Sequence, residues 1–289
     1  MAQIPRDMSK GKIWITAMRP RTLPLAIASI VMGSALAAVW QPFSWPVAVF
    51  SVITAVLLQI LSNLANDYGD SQHGADHADR EGPPRAVQSG AVSEKMMLAA
   101  MAIMAILSVI SGLALLWVSF GTESLNLFLI FVLIGALAIL AAVAYTAGFR
   151  PYGYAGLGDL SVLIFFGWVG VMGTYFLHTH RFDLGIMLPA TCSGLLAVAV
   201  LNVNNIRDID SDRRAGKQTI PVRIGLQKAR IYHWVLLCTV ILAASLYVLL
   251  VYSSLWQFLF LIAVPLLVKN GLDVQHTSAP VSYTHLTLP

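Results

Sequence analysis

The stretch WPVAVFSVITAVLLQILSNLANDYGD, residues 45–70, begins as a membrane span and ends as a polar motif. A helix needs about 20 apolar residues to cross the hydrocarbon core of a bilayer, and residues 45–65 supply that length. The run then ends in asparagines and aspartates, side chains that are rare in a span unless they have a function. The sequence therefore predicts a membrane helix whose end carries a polar site.

The composition extends this prediction to the whole chain. Of the 289 residues, 57% are hydrophobic and 11% are charged, and the mean hydropathy is +0.74. Soluble domains carry about 25% charged residues, and membrane β-barrel strands alternate apolar and polar positions, so neither class fits. We predict an all-α, polytopic transmembrane helical bundle. Its spans are expected at residues 22–40, 45–65, 96–119, 125–147, 158–178, 184–204, 231–251 and 254–270.

The basic residues orient this bundle. All but one of the 18 lysines and arginines precede the first span, follow spans 2, 4 and 6, or end span 8; Arg181 is the exception. Since lysine and arginine accumulate in cytoplasmic loops, we expect the N-terminus and both long loops in the cytoplasm. The net charge of +4 suits anionic lipid headgroups or an anionic substrate and predicts no nucleic-acid partner.

Two acidic motifs occupy equivalent places in the chain. NDYGD, residues 66–70, follows span 2, and NNIRDIDSD, residues 204–212, follows span 6. The order of elements therefore predicts one domain over residues 1–272, built from two four-helix halves at about residues 12–147 and 148–272.

Helical geometry gives these acidic residues a meaning. Spacings of three and four residues place side chains on one helix face, which groups Asn66 with Asp70 on span 2 and Asp208 with Asp212 on span 6. Carboxylate faces of this kind offer the oxygen ligands that Mg²⁺ prefers, together with substrate phosphates. The alternative is a pair of solvated acidic loops, which is less attractive because acidic clusters on this membrane side need counter-ions.

Basic residues follow each acidic motif. Arg80 and Arg85 come after the first motif, and Lys217 and Arg223 come after the second. Arginine and lysine donors combined with a metal ion form the usual arrangement for binding a diphosphate. Membrane topology alone is the alternative explanation for these residues.

Four stretches together resemble the UbiA superfamily of intramembrane prenyltransferases. They are RPRTLPLA at 19–26, NDYGD at 66–70, YTAGFRPYGYAGLGD at 145–159 and NNIRDIDSD at 204–212. The resemblance covers about residues 12–272. Within the superfamily, the motifs are most similar to those of the enzymes that prenylate 1,4-dihydroxy-2-naphthoate in menaquinone biosynthesis.

The resemblance implies a UbiA-like bundle of nine spans, about eight of them present here, around a cavity open sideways to lipid. It implies a Mg²⁺-dependent aromatic polyprenyltransferase of a bacterial inner membrane. Such an enzyme transfers the polyprenyl group of polyprenyl diphosphate to 1,4-dihydroxy-2-naphthoate, with loss of CO₂ and diphosphate, and gives demethylmenaquinol. Carried over by position, Asn66, Asp67 and Asp70 belong to the first metal site. Asp208 and Asp212 form the second.

Four further side chains are candidates for handling the substrates. Tyr145 can stabilise a carbocation with its aromatic face, and Arg150 can pair with an acceptor carboxylate. Asp159 can orient or deprotonate an acceptor hydroxyl, although an acid favoured by the helix dipole is the alternative. Arg21, at the mouth of span 1, can reach either substrate.

Other functions stay open from the sequence. Another aromatic acceptor, such as 4-hydroxybenzoate or homogentisate, fits the same motifs. A cation-coupled transporter also uses intramembrane acids, but near mid-bilayer on broken helices. Here the acids gather at one interface beside basic residues, which favours the prenyltransferase.

The C-terminal tail departs from the family's pattern. After PLLVKNGLDV at 265–274, the family would continue through another loop and a ninth span, whereas this chain gives QHTSAPVSYTHLTLP. That tail is polar and unpatterned. We therefore expect residues 273–289 to be anomalous, either truncated or out of frame.

Overall fold

The computed structural model describes residues 9–40, 42–72, 85–251 and 253–277. Helices dominate these ranges, as expected for a chain whose backbone groups must be satisfied inside lipid. The α-helices in the described residues are α1 (Lys10–Met18), α2 (Leu23–Ala38), α3 (Trp45–Gln72), α4 (Glu94–Phe120), α5 (Leu125–Ala144), α6 (Gly158–Val162), α7 (Thr174–Thr179), α8 (Met187–Arg207), α9 (Ile209–Arg214), α10 (Ile220–Ile224), α11 (Leu226–Leu250) and α12 (Val264–His276).

Eight helical segments of the described chain are long and apolar enough to cross a membrane, which confirms the predicted number. α3, α4, α5 and α11 each form one span. The other four are composite: Lys10–Ala38, Gly158–Thr179, Leu184–Arg207 and Leu255–His276. In the second of these, π-helical turns over Leu163–Gly173 join α6 to α7.

Small residues set the closest helix contacts. A Cβ atom on Gly33 of α2 would lie 2.4 Å from the carbonyl oxygen of Val171. On Gly167, a Cβ atom would lie 2.7 Å from the carbonyl oxygen of Ala190 in α8. Glycine lets membrane helices approach this closely because it has no side chain, so the fifth span packs tightly against spans 1 and 6.

The helix through the first acidic motif is continuous, as predicted, because α3 extends to Gln72. The second motif differs. α8 ends at Arg207, Asp208 has φ −95° and ψ 10°, and α9 begins at Ile209. Asp208 caps α9, and the Asp212 amide donates to the Asp208 carbonyl at 2.8 Å. The two residues therefore lie one helical turn apart, as predicted, but on α9 just beyond span 6.

The end of the described chain is helical beyond the predicted domain limit. α12 continues to His276, so residues 273–276 are helical. Most of the segment expected to be anomalous, residues 278–289, lies outside the described ranges. The division into two four-helix halves stays a prediction.

Candidate active site

Asp70, in the last turns of α3, is the centre of a buried ion-pair cluster. One carboxylate oxygen accepts a hydrogen bond from Arg85 Nη2 at 2.7 Å. The other accepts from Lys217 Nζ at 2.9 Å and from the Tyr154 hydroxyl at 3.1 Å. Asp70 is only 3% exposed, and a buried carboxylate requires such donors. Three segments that are distant in sequence therefore meet at one side chain.

Asp67 lies one turn earlier on α3 and binds backbone amides of the loop before α4. Its two carboxylate oxygens accept hydrogen bonds from the amides of Ala86, at 2.9 Å, and Val87, at 3.2 Å. Ala86 is itself buried in an apolar cluster between α3 and α4. These contacts pin the loop before α4 to α3, and they place Arg85 beside Asp70.

Two residues of the first motif fix the loop that follows α5. The Asn66 side-chain oxygen accepts a hydrogen bond from the Thr146 hydroxyl at 2.9 Å. Gly69 provides the space for this contact, because a Cβ atom there would lie 2.3 Å from the Thr146 carbonyl oxygen. The motif NDYGD thus supplies a glycine for close packing as well as acidic side chains.

Lys217 joins the second acidic motif to the first. Its ammonium nitrogen lies 2.9 Å from Asp70 and 3.8 Å from Asp212, so both carboxylates share one cation. The same nitrogen lies 4.8 Å from the centre of the Tyr154 ring. The Lys217 side chain is only 14% exposed. The two motifs therefore meet at a shielded ammonium group.

The turn between α5 and α6 is held by the residues after Lys217. The Gln218 amide donates to the Tyr154 carbonyl at 2.9 Å, and Arg223 donates to the Ala155 carbonyl at 2.7 Å. Gly156 has φ +78°, and a Cβ atom there would lie 2.5 Å from the Gln218 carbonyl oxygen. Arg223 therefore fastens this turn, which carries Tyr154 to Asp70.

A second polar group lies beside the ion pairs. The Tyr232 hydroxyl donates to Asp159 Oδ2 at 2.8 Å. The Tyr145 hydroxyl faces Gly158, where a Cβ atom would lie 2.8 Å from that oxygen. Burial raises the pKa of Tyr145, and the nearby carboxylates of Asp159 and Asp70 raise it further. Tyr145 is therefore a neutral phenol within electrostatic range of both polar groups.

The other predicted site residues make different contacts. Asp208 pairs with Arg207 through hydrogen bonds of 2.8 and 2.7 Å. Arg21 and Arg150 are exposed; Arg150 lies over the neighbouring phenyl ring, and neither makes an ion pair with an acidic residue of the described ranges. Arg80 lies outside the described residues.

Two contacts of this region are not predicted by the local sequence. Tyr232 is 73 positions from Asp159, and its place in an apolar helix predicts only packing. The one available signal is chemical, because a buried tyrosine hydroxyl usually finds a hydrogen-bond partner. Arg207 was included only among the basic loop residues, although it holds both oxygens of Asp208.

The acidic cluster fits a divalent cation by its donor chemistry. Asp70 and Asp212 are buried carboxylates, and Mg²⁺ prefers such hard oxygen donors. Among the described residues, no three His, Cys, Asp or Glu side chains are arranged as a ligand set. Lys217 and Arg85 hold the carboxylates instead. Asp70 and Asp212 are the carboxylates that would hold a metal ion here.

Comparison with known proteins gives clear sequence relatives. The model of the UbiA prenyltransferase family matches residues 26–272. The chain is 50% identical over 278 residues to the 1,4-dihydroxy-2-naphthoate octaprenyltransferase of Escherichia coli (strain K12), which covers 96% of this chain and 89% of the relative. It is 47% identical over 274 residues to the protein of the same name from Haemophilus influenzae, covering 94% and 88%.

Solved structures share the fold. An apo UbiA homolog from Aeropyrum pernix K1 superposes with a TM-score of 0.72 at 18% identity, covering 93% of this chain and 94% of that one. A UbiA homolog from Archaeoglobus fulgidus, bound to GPP and Mg²⁺, gives a TM-score of 0.64 at 14% identity, covering 95% and 94%. At these identities the likeness is one of fold.

Proposed function

The chain belongs to the UbiA prenyltransferase family, and we propose that it transfers a polyprenyl group from polyprenyl diphosphate to 1,4-dihydroxy-2-naphthoate. The carboxylate of the acceptor leaves as CO₂, diphosphate is released, and the product is demethylmenaquinol. Relatives that are named for this acceptor cover nearly the whole chain. They favour it over 4-hydroxybenzoate and homogentisate, and they favour prenyl transfer over transport.

One observation carries the site assignment: Lys217 binds Asp70 and Asp212 at once. This contact assembles oxygen donors and cations from both acidic motifs at the same end of the bundle. Diphosphate leaves only when its developing negative charge is stabilised, so acids that hold a metal ion must lie beside basic donors. Asp70, Arg85 and Lys217 already satisfy that arrangement.

We assign Mg²⁺ to carboxylate and amide oxygens of both motifs. The proposed ligands are Asn66, Asp67, Asp70, Asp208 and Asp212. Mg²⁺ bound there supplies charge neutralisation for the leaving diphosphate. A related structure holds Mg²⁺ together with GPP, which supports a metal of this kind.

The basic residues are assigned to the diphosphate. Arg85 and Lys217, which both contact Asp70, are the donors proposed for the phosphate oxygens. Arg80 is proposed to act with them, and Arg223 orders the adjoining turn through Ala155. Arg21 is proposed to contact a substrate at the mouth of the first span.

The acceptor is assigned to the polar group beside the ion pairs. The Tyr145 hydroxyl faces Gly158, the residue before Asp159. Besides burial, the charge of Asp70 also raises the pKa of Tyr145. An aromatic acid bound here would present its ring to the end of the prenyl chain. Arg150 is proposed to pair with its carboxylate. The surrounding spans would exclude water from the reactive carbocation.

We propose that the protein is a multi-pass protein of a bacterial inner membrane, with both acidic loops in the cytoplasm. The distribution of lysine and arginine supports this orientation. The end of α3 contacts both the loop after α5 and Lys217, which also pairs with Asp212. Both substrates would therefore be bound at the cytoplasmic face.

The test is an assay in membranes with 1,4-dihydroxy-2-naphthoate, octaprenyl diphosphate and Mg²⁺. Octaprenyl diphosphate is the first donor because the relatives are named octaprenyltransferases. Asp70→Asn and Asp212→Asn are each expected to lower kcat about 100-fold or more, as losses of charge stabilisation do. Asp210→Asn is the matched control, since the Asp210 side chain is 82% exposed.

Each outcome is informative. Wild-type activity that depends on Mg²⁺ and is lost only in the two buried variants would support the assignment. Wild-type activity that survives Asp70→Asn would refute the site. A wild type that prenylates 4-hydroxybenzoate in preference to the naphthoate would replace the acceptor.

A further inference from the structure

Asp159 is an acidic residue in a membrane-spanning segment. It lies in the first turn of α6, within the span Gly158–Thr179, and is 9% exposed. In the described part of the chain, no lysine, arginine or histidine forms an ion pair with it. An acid in such a place is costly and usually has a function.

Tyr232 is the side chain that holds Asp159. It lies in the second turn of α11, and its hydroxyl donates to Asp159 Oδ2 at 2.8 Å. Its ring packs against an apolar cluster that includes Val198, Leu236 and Leu237. Because this packing anchors the ring, the hydroxyl reaches across to α6 and fixes the carboxylate in one orientation.

A third polar group borders this pair. The Tyr145 hydroxyl faces Gly158, next to Asp159, and makes no side-chain hydrogen bond with another described residue. Leu201 of α8 packs at the same position, since a Cβ atom on Gly158 would lie 3.5 Å from its methyl carbon. Two phenols and a carboxylate are thus grouped among apolar side chains, an environment that suits an aromatic ring bearing hydroxyl groups.

We infer that Tyr232 and Asp159 form the site that recognises a ring hydroxyl of the aromatic acceptor. Asp159 accepts a hydrogen bond from that hydroxyl, and Tyr232 is a positioning residue that keeps the carboxylate turned toward it. A hydroxyl that donates to a carboxylate makes its ring richer in electrons, which favours attack on the prenyl cation. The inference rests on the proposed function for the identity of the acceptor.

The test compares two ligands that differ only in their hydroxyl groups. Binding of 1,4-dihydroxy-2-naphthoate, kept anaerobic, and of 2-naphthoate is measured by quenching of tryptophan fluorescence in the full-length protein. We expect wild type to prefer the dihydroxy compound about tenfold or more, because a site built to hydrogen-bond a hydroxyl rejects the analogue that lacks it. Asp159→Asn should remove most of this preference.

Tyr232→Phe keeps the packed ring and removes only the hydroxyl. It should reduce the preference about threefold to tenfold. This is less than the full value of a hydrogen bond to a charged group, because the Asp159 carboxylate remains and only its orientation is released. Added to Asp159→Asn, it should reduce the preference no further, because Tyr232 acts through Asp159. Tyr247→Phe, in the last turn of the same helix, is the matched control and should keep the wild-type preference.

Several results would overturn the inference. They are a wild type that binds both ligands equally, an unchanged preference in Asp159→Asn, and an effect of Tyr232→Phe that persists in the Asp159→Asn background. If Tyr232→Phe does not fold, Asp159→Asn still decides the question from the other partner. Prenyl transfer is measured in parallel: hydroxyl-dependent binding without product would refute the proposed function alone, and product without that preference would refute the hydroxyl site alone.

Discussion

Replacing Lys217 with glutamine tests how the two acidic motifs are held together. The Lys217 ammonium group lies 2.9 Å from Asp70 and 3.8 Å from Asp212, in surroundings that leave the three side chains 5 to 14% exposed. Glutamine has similar length but no charge, so both carboxylates lose their shared cation. Measuring the stability of this variant tests how the two motifs are held together without measuring the reaction.

The size of the effect follows from the remaining partners. Removing one member of a buried ion pair costs about 3–5 kcal/mol when the other charge is left alone. Asp70 keeps Arg85 at 2.7 Å and Tyr154 at 3.1 Å, so we expect about 2 kcal/mol, the value of one hydrogen bond to a charged group. In a chain of this size, that is a fall of about 4 °C in Tm.

Mg²⁺ should stabilise the folded protein, and it should stabilise Lys217→Gln more than wild type. We predict that a metal ion held by Asp70 and Asp212 would compete with the Lys217 ammonium group, which Lys217→Gln removes. At ten times its Kd, a ligand stabilises the folded state by about 1.4 kcal/mol. We therefore expect Mg²⁺ to recover most of the lost stability in Lys217→Gln, with a smaller shift in wild type at the same concentration.

The assay is thermal unfolding followed by tryptophan fluorescence, which the chain's seven tryptophans allow, in EDTA and across a Mg²⁺ titration. Lys228→Gln is the matched control, because Lys228 is exposed in the first turn of α11. Equal Tm values for wild type and Lys217→Gln in EDTA would refute the bridging role. Equal Mg²⁺ shifts in both proteins would refute competition between Lys217 and the metal ion.

Three further outcomes follow from the contacts around the site. Gly69→Ala should destabilise the protein by about 1–3 kcal/mol through overpacking against the facing loop, whereas Gly135→Ala, which meets no atom within 4 Å, should leave Tm unchanged or higher; equal effects would contradict this reading. Asp67→Asn should increase amide hydrogen exchange over residues 85–92, because an amide group cannot accept both backbone donors; unchanged protection there would show that the loop is held otherwise. Burial raises the pKa of Tyr145, so its contribution to stability should be complete below about pH 10, the pKa of an unfolded tyrosine, and decline as pH rises above it. The unfolding midpoint should therefore fall less between pH 8 and pH 11 in Tyr145→Phe than in wild type. An equal fall in both proteins would refute the assignment.

Much of the site could be predicted from local pattern. NDYGD on a continuing helix placed Asp67 and Asp70 together, and α3 is helical through both. The second motif was less predictable. Asp208 interrupts the helix and is held by the adjacent Arg207, and a helical spacing rule cannot foresee where a side-chain pair favours a turn.

The sequence by itself determined the eight spans, the two acidic motifs and the charge of the loops. These properties are local. A membrane span needs one continuous apolar stretch, and the oxygen donors that Mg²⁺ prefers are visible as residue types within each motif. Only the tertiary structure decided that Lys217 bridges Asp70 and Asp212, and that Tyr232 holds Asp159. Lys217 and Asp70 are 147 positions apart in the sequence, and Tyr232 and Asp159 are 73 positions apart. These residues meet because glycine contacts and apolar clusters set how the helices pack. The spacing of residues along one helix does not determine how far that helix lies from another.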